Sequence, residues 1–296
     1  MAHRSTKGPG KFLRAILLLL FIGARPAAAQ PVGIACCDAD RLYDTIPSPF
    51  YDDTDYTPQG RLHWNTARYR RKIAQLAALV DSLALPIIAL QGVENESVVR
   101  DLSAACAGDY TYLHRTLNTL DGMDFALLYH GDRFFPHYVE PGRRYLYVEG
   151  TLRHAAGRKT GRRFRSDTLG LLLCGDARTA GRTIGELRAE RPGAKLVAMG
   201  RLPEQDVAQY GLQDALARAA RAGRGNLRSR AGWHLRDRIA ADTAFRIVAA
   251  DVYIRRFLLD PAGTAPHATY RRRRYVGGPG RVLPLYLYLE RADYLE

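Results

Sequence analysis

The sequence predicts an α/β protein in which two packed β-sheets carry helices on their outer faces. Three observations lead there. The chain has 296 residues, 47% hydrophobic and 25% charged, enough to bury the core of one large domain or two small ones and unlike a disordered or fibrous chain. Short apolar runs alternate with helical patterns, some following one another directly and others separated by a helix, which suits two sheets with helices outside. No internal repeat or long linker divides the chain, so one domain over residues 31–296 is expected.

The N-terminal segment reads as a leader. Arg4, Lys7, Lys11 and Arg14 precede a nine-residue apolar run from Ala15 to Gly23, and Ala27-Ala28-Ala29 stands before Gln30. This order of charge, apolar run and small residues marks a signal peptide over residues 1–29, cleaved after Ala29. The run is far shorter than the roughly 20 residues a spanning helix needs, so no membrane span is expected after cleavage. The expected location is the periplasm or the medium. Cleavage removes five positive charges and no negative ones, taking the formal charge from +14 to +9. A basic protein favours anionic partners. The basic residues are 39 Arg against 5 Lys, however, and that ratio equally fits a GC-rich genome.

Along the mature chain, Asn65 can cap a helix in which Tyr69, Ile73, Leu76, Val80 and Leu83 share one face. Pro86 closes it, and Ile87 to Leu90 reads as a buried strand. Further strands are expected at Tyr110–His114, Phe125–Tyr129, Tyr145–Val148, Leu169–Cys174, Leu196–Met199, Ile247–Tyr253 and Leu283–Leu289, with helices at Thr179–Ala189 and Asp206–Ala222. Ligand sites in layered folds sit in loops at strand ends, which directs attention to the residues after Leu90, Cys174, Met199, Asp237 and Tyr275. The cysteines Cys36, Cys37, Cys106 and Cys174 lack the spacing of a zinc site. Export permits a disulfide among them, and burial as small apolar residues is the alternative.

Those strand ends carry a family resemblance. Asp38–Asp44 (DADRLYD), Tyr56–Gly60 (YTPQG), Leu90–Asn95 (LQGVEN), Gly122–Tyr129 (GMDFALLY), Leu173–Gly181 (LCGDARTAG), Met199–Pro203 (MGRLP), Trp233–Ile239 (WHLRDRI) and Tyr275–Tyr286 (YVGGPGRVLPLY) follow the order of motifs in the endonuclease/exonuclease/phosphatase superfamily. The chain resembles that superfamily over nearly its whole mature length and is similar to its exported members from Bacteroidales-type bacteria. The resemblance implies a DNase I-like four-layer αββα sandwich of two mixed sheets, with the active site at the top. It also implies an ancestral Mg²⁺-dependent hydrolysis of phosphomonoesters or phosphodiesters, in which hard oxygen ligands hold the ion and a base activates water.

Set against the family's motifs, the catalytic set is dismantled. Asp38 stands where the first-strand Asn is usual, and Gly92 replaces the metal-holding Glu. The phosphate-facing His falls on Gly175, and the Asp and Asn of GDFN fall on Arg201 and Pro203. The Asp-His pair falls on Arg281 and Val282. Asp124, Asp237, Glu94 and Asn95 remain, although Arg238 follows Asp237 where Gln is usual. Two acids have become Arg beside a scaffold that keeps Gly200, Gly277, Gly278, Leu283 and Pro284, so a divalent cation would meet repulsion. No cofactor is expected.

Three readings follow. The first is a pseudoenzyme with a binding role, in which Arg201 and Arg281 hold an anionic small molecule or a protein's acidic group; in the bland form of this reading these arginines reach solvent or pair with Asp38 and Asp237. The second keeps a metal-dependent phosphoesterase, built from Asp38, Asp124 and Asp237 with His63, His114, His234 or His267. The third is an acidic-polymer or nucleic-acid binder, prompted by Arg271-Arg272-Arg273-Arg274 between Tyr270 and Tyr275; export argues against a nucleic-acid client. Asp52, Asp53 and Asp55 lack the Gly and terminal Glu of an EF-hand loop and read as a solvated turn.

Overall fold

A computed structural model describes residues 31–155 and 164–292. The expected leader at residues 1–29 lies outside them. The first sheet comprises β1 (Val32–Leu42), β2 (Ile87–Val93), β3 (Thr111–Arg115), β4 (Asp124–Tyr129), β13 (Phe245–Val252) and β16 (Leu285–Arg291), in the order β13-β16-β1-β2-β4-β3. The second comprises β5 (Phe134–Gly142), β6 (Tyr145–Ala155), β7 (Phe164–Cys174), β8 (Lys195–Gly200), β9 (Gln213–Asp214) and β12 (Arg238–Ala241), in the order β5-β6-β7-β8-β12-β9. Two small hairpins complete the strands, β10 (Leu227–Ser229) with β11 (Gly232–His234), and β14 (Tyr270–Arg271) with β15 (Arg274–Tyr275).

Alternation along the strands builds the layers. In the second sheet Leu146, Val148, Leu171, Leu173, Val197, Met199 and Ile239 join Ile34, Leu90, Ala126 and Leu287 of the first sheet in one core. Their sequence neighbours Tyr147, Leu172, Cys174, Ala198 and Ala240 point the other way and pack on Ile184 and Leu187. A period of two therefore gives this sheet one face for its partner sheet and one for a helix. That helix is α3 (Ala180–Glu190); α1 (Thr66–Leu83) and α2 (Glu96–Ala105) bury Ile73, Leu76, Val98 and Leu102 in the larger core. The result is the four-layer α/β sandwich expected from the motifs.

The helix starts obey local chemistry. Asn65 Oδ1 accepts the Arg68 N–H at 3.1 Å and Asn95 Oδ1 the Val98 N–H at 3.1 Å, each satisfying an otherwise orphaned first-turn donor. Helix α1 ends at Leu83, where Ala84 turns left-handed, two residues before Pro86. The single helix expected over Asp206–Ala222 is instead broken into α4 (Glu204–Gln209), strand β9 and α5 (Ala217–Arg221). Gly211 adopts φ +63°, which stops α4, and β9 then pairs with β12 through Asp214 and Ala240.

All four cysteines are free thiols, with Cys36, Cys37 and Cys174 buried. Burial holds every one of them above the ordinary thiol range, Cys106 at about 11 and Cys174 at about 12, so none is poised as a nucleophile. Among the described residues no helix is long and apolar enough to cross a membrane.

Candidate functional site

Each sheet contains one parallel pair, β1–β2 and β7–β8, and the carboxyl ends of both pairs open onto the same cleft of about 190 Å³. Asp38 lies opposite Gln91 in the first pair, after which the register slips. Gly92 is the slipped residue, skipped in the pairing with β1 and with β4 and carrying φ +78°. It forms a bulge in which a side chain would be strained. In the second pair Gly200 adopts φ +103° with its α-carbon so close to Cys174 that a Cβ would lie 2.4 Å from the Cys174 carbonyl oxygen. This turn aims Arg201 into the cleft, and the Arg201 N–H closes it on the Cys174 carbonyl at 2.8 Å.

Asp38, Gly92, Asp124, Gly175, Arg201 and Arg281 all line this cleft. The motif order therefore does bring together residues that lie far apart in sequence. Pro203 and Val282 do not line it. Pro203 stands at the start of α4, and Val282 is buried and bridges Leu227.

The cleft is also lined by a residue that the motifs do not single out. Arg236, only 12% exposed, reaches Asp38 Oδ2 through Nη1 at 2.6 Å and Asp237 Oδ2 through Nη2 at 2.7 Å. Its Nε also donates to Asp237, at 3.0 Å to Oδ2. Asn226, itself buried, donates Nδ2 to the same Oδ2 at 3.1 Å and accepts the Arg236 N–H at 2.8 Å, fixing both partners. Burial alone would push the guanidinium pKa down, but the two carboxylates overcome it and hold it above its ordinary value. Burial raises the Asp38 carboxyl, with Arg236 opposing. The only sequence signal for Arg236 was its place beside the retained Asp237. Arg238, the neighbour that departs from the motif, turns instead to Asp214 at 2.5 Å and Glu204 at 2.8 Å.

The remaining charges divide into paired and available ones. Arg281 reaches Asp40 Oδ1 at 3.2 Å, so it pairs with neither Asp38 nor Asp237, and Arg41 lies 3.8 Å from Asp121. Arg201 and Arg144 are exposed, line the cleft, and have no carboxylate within salt-bridge distance among the described residues. Beside Gly92, Gln91 presents a buried Nε2 with no hydrogen-bond partner among the described residues. A buried amide donor left unpaired in a cationic cleft calls for an oxygen acceptor.

Beneath the floor, Lys72 is buried and donates Nζ to Thr269 Oγ1 and to the Pro279 carbonyl at 2.7 Å. Burial lowers it to about 8, with Asp40 and Asp38 opposing. Glu94 is buried and raised to about 7 by that burial, while accepting the Asp44 N–H at 2.6 Å and the Tyr51 hydroxyl at 3.0 Å. Its work is to hold the 44–56 loop, and Asn95 is a helix cap that also donates to Asp44 at 3.0 Å.

Of the groups named for a displaced catalytic set, Asp38 and Asp124 share the cleft and Asp38 and Asp237 share Arg236, but each carboxylate is already engaged. Asp124 accepts the Leu117 N–H at 2.8 Å and sits 3.1 Å from His114 Nε2. His267 Nε2 meets the Val276 carbonyl at 3.0 Å, and His63 and His234 are exposed. The arginine run forms the tip of the β14–β15 hairpin, with Arg271 on Asp260 at 3.1 Å. Its flanking rings are engaged in scaffold contacts, since Tyr270 and Tyr275 pack at 5.5 Å and Tyr270 donates its hydroxyl to the Leu62 carbonyl at 3.1 Å. In the acidic turn, Asp53 is buried and caps the Ser48 N–H at 3.1 Å, Asp52 takes the Thr54 hydroxyl at 2.6 Å, and Asp55 binds Arg61 at 2.5 Å.

The fit to a divalent cation fails on these grounds. Asp38 and Asp237 already share a guanidinium, Gly92 offers no side chain, and among the described residues no three His, Cys, Asp or Glu side chains are arranged to hold a metal ion.

Residues 33–154 match the sequence model of the Endonuclease/Exonuclease/phosphatase family. Among solved structures, an endonuclease/exonuclease/phosphatase family protein from Bacteroides thetaiotaomicron superposes with a TM-score of 0.55 at 13% identity, covering 88% of this chain and 98% of that one. A mannosyl-6-phosphatase from the same organism gives 0.54 at 13% identity, covering 88% and 99%. The human Nocturnin catalytic domain with bound sulfate anion gives 0.53 at 13% identity, covering 88% and 95%. No curated protein matches the chain by sequence.

Proposed function

We propose that this chain, which has the endonuclease/exonuclease/phosphatase fold and matches that family over residues 33–154, is an exported binding protein. It takes an anion into the old cleft and no longer hydrolyses phosphoesters with a metal. The observation that carries the reading is the Arg236 guanidinium held between Asp38 and Asp237. A fixed organic cation there does the electrostatic work of an ion, neutralising two buried carboxylates, but it has no open coordination position for water or substrate.

The anion is received by Arg201 and Arg144, with the Gln91 amide as a further donor. Their planar forks suit a phosphate or carboxylate. This shifts the expected pair, because Arg281 is tied to Asp40. A Cβ at Gly175 would meet the Phe125 ring at 3.0 Å and the Arg144 carbonyl at 3.2 Å, so a side chain at the place of the family's His would need these neighbours to yield by a few tenths of an ångström.

The test is isothermal titration of the purified protein with Mg²⁺, Mn²⁺ and inorganic phosphate, run beside hydrolysis of a bis-phosphodiester and of plasmid DNA. The expected result is no metal heat, no turnover, and phosphate binding weakened at least about tenfold by Arg144→Gln with Arg201→Gln, the loss of two charge-assisted contacts. Metal-dependent turnover abolished by Asp237→Ala would overturn the reading.

A further inference from the structure

The cleft continues past its mouth. Arg144, which lines it, also lines a second depression of about 400 Å³ whose other walls are Arg143, Asp176, Arg178, Thr179 and Arg182. The cleft sets five arginines against four aspartates, whereas this outer shelf sets four against one. The junction is fixed by the backbone. Gly142 pairs with Tyr145 at the end of the β5–β6 hairpin, so Arg143 and Arg144 form its turn. Arg144 adopts φ +65°, a left-handed conformation uncommon outside Gly, Asn and Asp. Its carbonyl accepts the Gly175 N–H at 2.8 Å, tying the hairpin tip to the loop after β7 that carries Asp176, Arg178 and Thr179 into α3.

The carboxylates on this side are engaged or weakly paired. Asp176 accepts Arg178 Nε at 3.1 Å and Nη2 at 2.9 Å, and its carboxyl is held at about 2, chiefly by these bonds, with Arg144 adding to them. Glu140 takes the hydroxyls of Tyr138 and Tyr145 at 2.9 and 2.7 Å. Glu186 lies 3.8 Å from Arg182 with both side chains more than half exposed, a pair of little strength in water. Asp206 packs against Gly181, so the start of α3 already faces a carboxylate and the charge of the shelf is that of its arginines. Arg143 and Arg144 are exposed and have no carboxylate within salt-bridge distance among the described residues.

We propose that the anion taken by the cleft is one end of a small oligo-anion, with a terminal phosphate on Arg201, Arg144 and the Gln91 amide and a second phosphate, a short linker away, on Arg143 and Arg182. The proposal rests on the anion reading of the cleft and adds the class of ligand. A single phosphate in the cleft leaves the shelf's charge unmatched. A ligand with two phosphates meets both fields, and its second contact forms within a complex that has already lost its translational freedom. Arg144, common to both depressions, lies between the two groups. The backbone of a DNA duplex is a poorer occupant, because a cleft of about 190 Å³ admits the end of a small molecule and excludes a stacked duplex.

The test is isothermal titration of the purified protein with inorganic phosphate and with tripolyphosphate, in buffer free of divalent cations. Tripolyphosphate is expected to bind at least about tenfold more tightly than phosphate, the size of one added charge-assisted contact. Arg143→Gln with Arg182→Gln should remove that advantage and leave phosphate affinity as it was. Arg218→Gln with Arg221→Gln, exposed on α5 and lining neither depression, should retain the advantage, which separates a site from overall charge. Equal affinity for the two anions, an advantage that survives in the Arg143 and Arg182 variant, or one lost equally in the α5 variant overturns the proposal. The cleft reading then still stands if phosphate binding falls with Arg144→Gln and Arg201→Gln. Tripolyphosphate binding that needs Arg143 and Arg182 but is indifferent to Arg201→Gln places the ligand on the shelf alone and overturns both readings, as does binding of neither anion. Displacement of tripolyphosphate by a short DNA duplex at equal phosphate concentration overturns the small ligand in favour of nucleic acid.

Discussion

Replacing Arg236 by methionine is expected to destabilise the fold by about 3–5 kcal/mol, because it strands two carboxylates whose salt-bridge partner among the described residues is this guanidinium. Thermal unfolding should show a fall of roughly 10 °C or more for a chain of this size. Asp38 is the group to follow with pH. Its folded carboxyl already lies above the ordinary value because of burial, and loss of Arg236 removes the main opposing influence. A carboxyl with a raised folded pKa is penalised when ionised, and the penalty is relieved as pH falls through that raised value. The gap between parent and variant should therefore narrow from neutral pH to about pH 5. Adding Asp38→Asn and Asp237→Asn to Arg236→Met should recover most of the loss, since the triple variant buries no charge. A deficit unchanged by both acidification and the two Asn substitutions would mean that Arg236 acts through packing alone.

The second large effect concerns Lys72. Its ammonium is buried, with a hydroxyl and a carbonyl as partners, and its pKa is lowered to about 8 by that burial. The unfolded chain keeps an ordinary lysine near 10.4. Below about pH 8 both states are protonated and the native state bears the full penalty; above it the folded amine loses its proton first, so native stability rises until the unfolded lysine also titrates. Relative to Lys72→Met, the parent should gain up to about 3 kcal/mol between neutral pH and about pH 10. Urea unfolding at several pH values measures this gap, and a flat difference would refute the buried-ammonium assignment. Because Lys72 and Gln75 hold the carbonyls of Pro279 and Gly277, the variant should also loosen the loop that presents Arg281 to Asp40.

The parts of the fold that could be read from sequence are those whose causes are local. Asn65 and the Ile73, Leu76, Val80 and Leu83 face predict α1 because cap and periodicity lie within one element. Strand β5 escaped because Pro136 and Pro141 interrupt its pattern; it can carry them only because it is the edge of its sheet, a tertiary fact. Residues 206–222 have a helical pattern, yet Gly211 and the pairing of Asp214 with Ala240 override it. In the site, motif order located Asp38, Gly92, Gly175, Arg201 and Arg281 around one cleft. What no motif could show is where a long side chain ends. Arg236 runs to Asp38, Arg238 to Asp214, and Arg281 to Asp40, so charge in the cleft follows reach and geometry.

On the reading proposed above, the bulge at Gly92 makes the loss of a metal site hard to reverse. A glutamate restored there would carry φ +78°, and its Cβ would stand 3.4 Å from Asp38 Oδ1, adding a third anion to a pair of carboxylates already matched to one guanidinium. Removing Arg236 first leaves those two carboxylates bare. Each single step back is unfavourable, and only both together, with an ion supplied from solution, would balance the charge. Gly92 and Arg236 thus protect one another, like a latch whose halves must be lifted at the same moment.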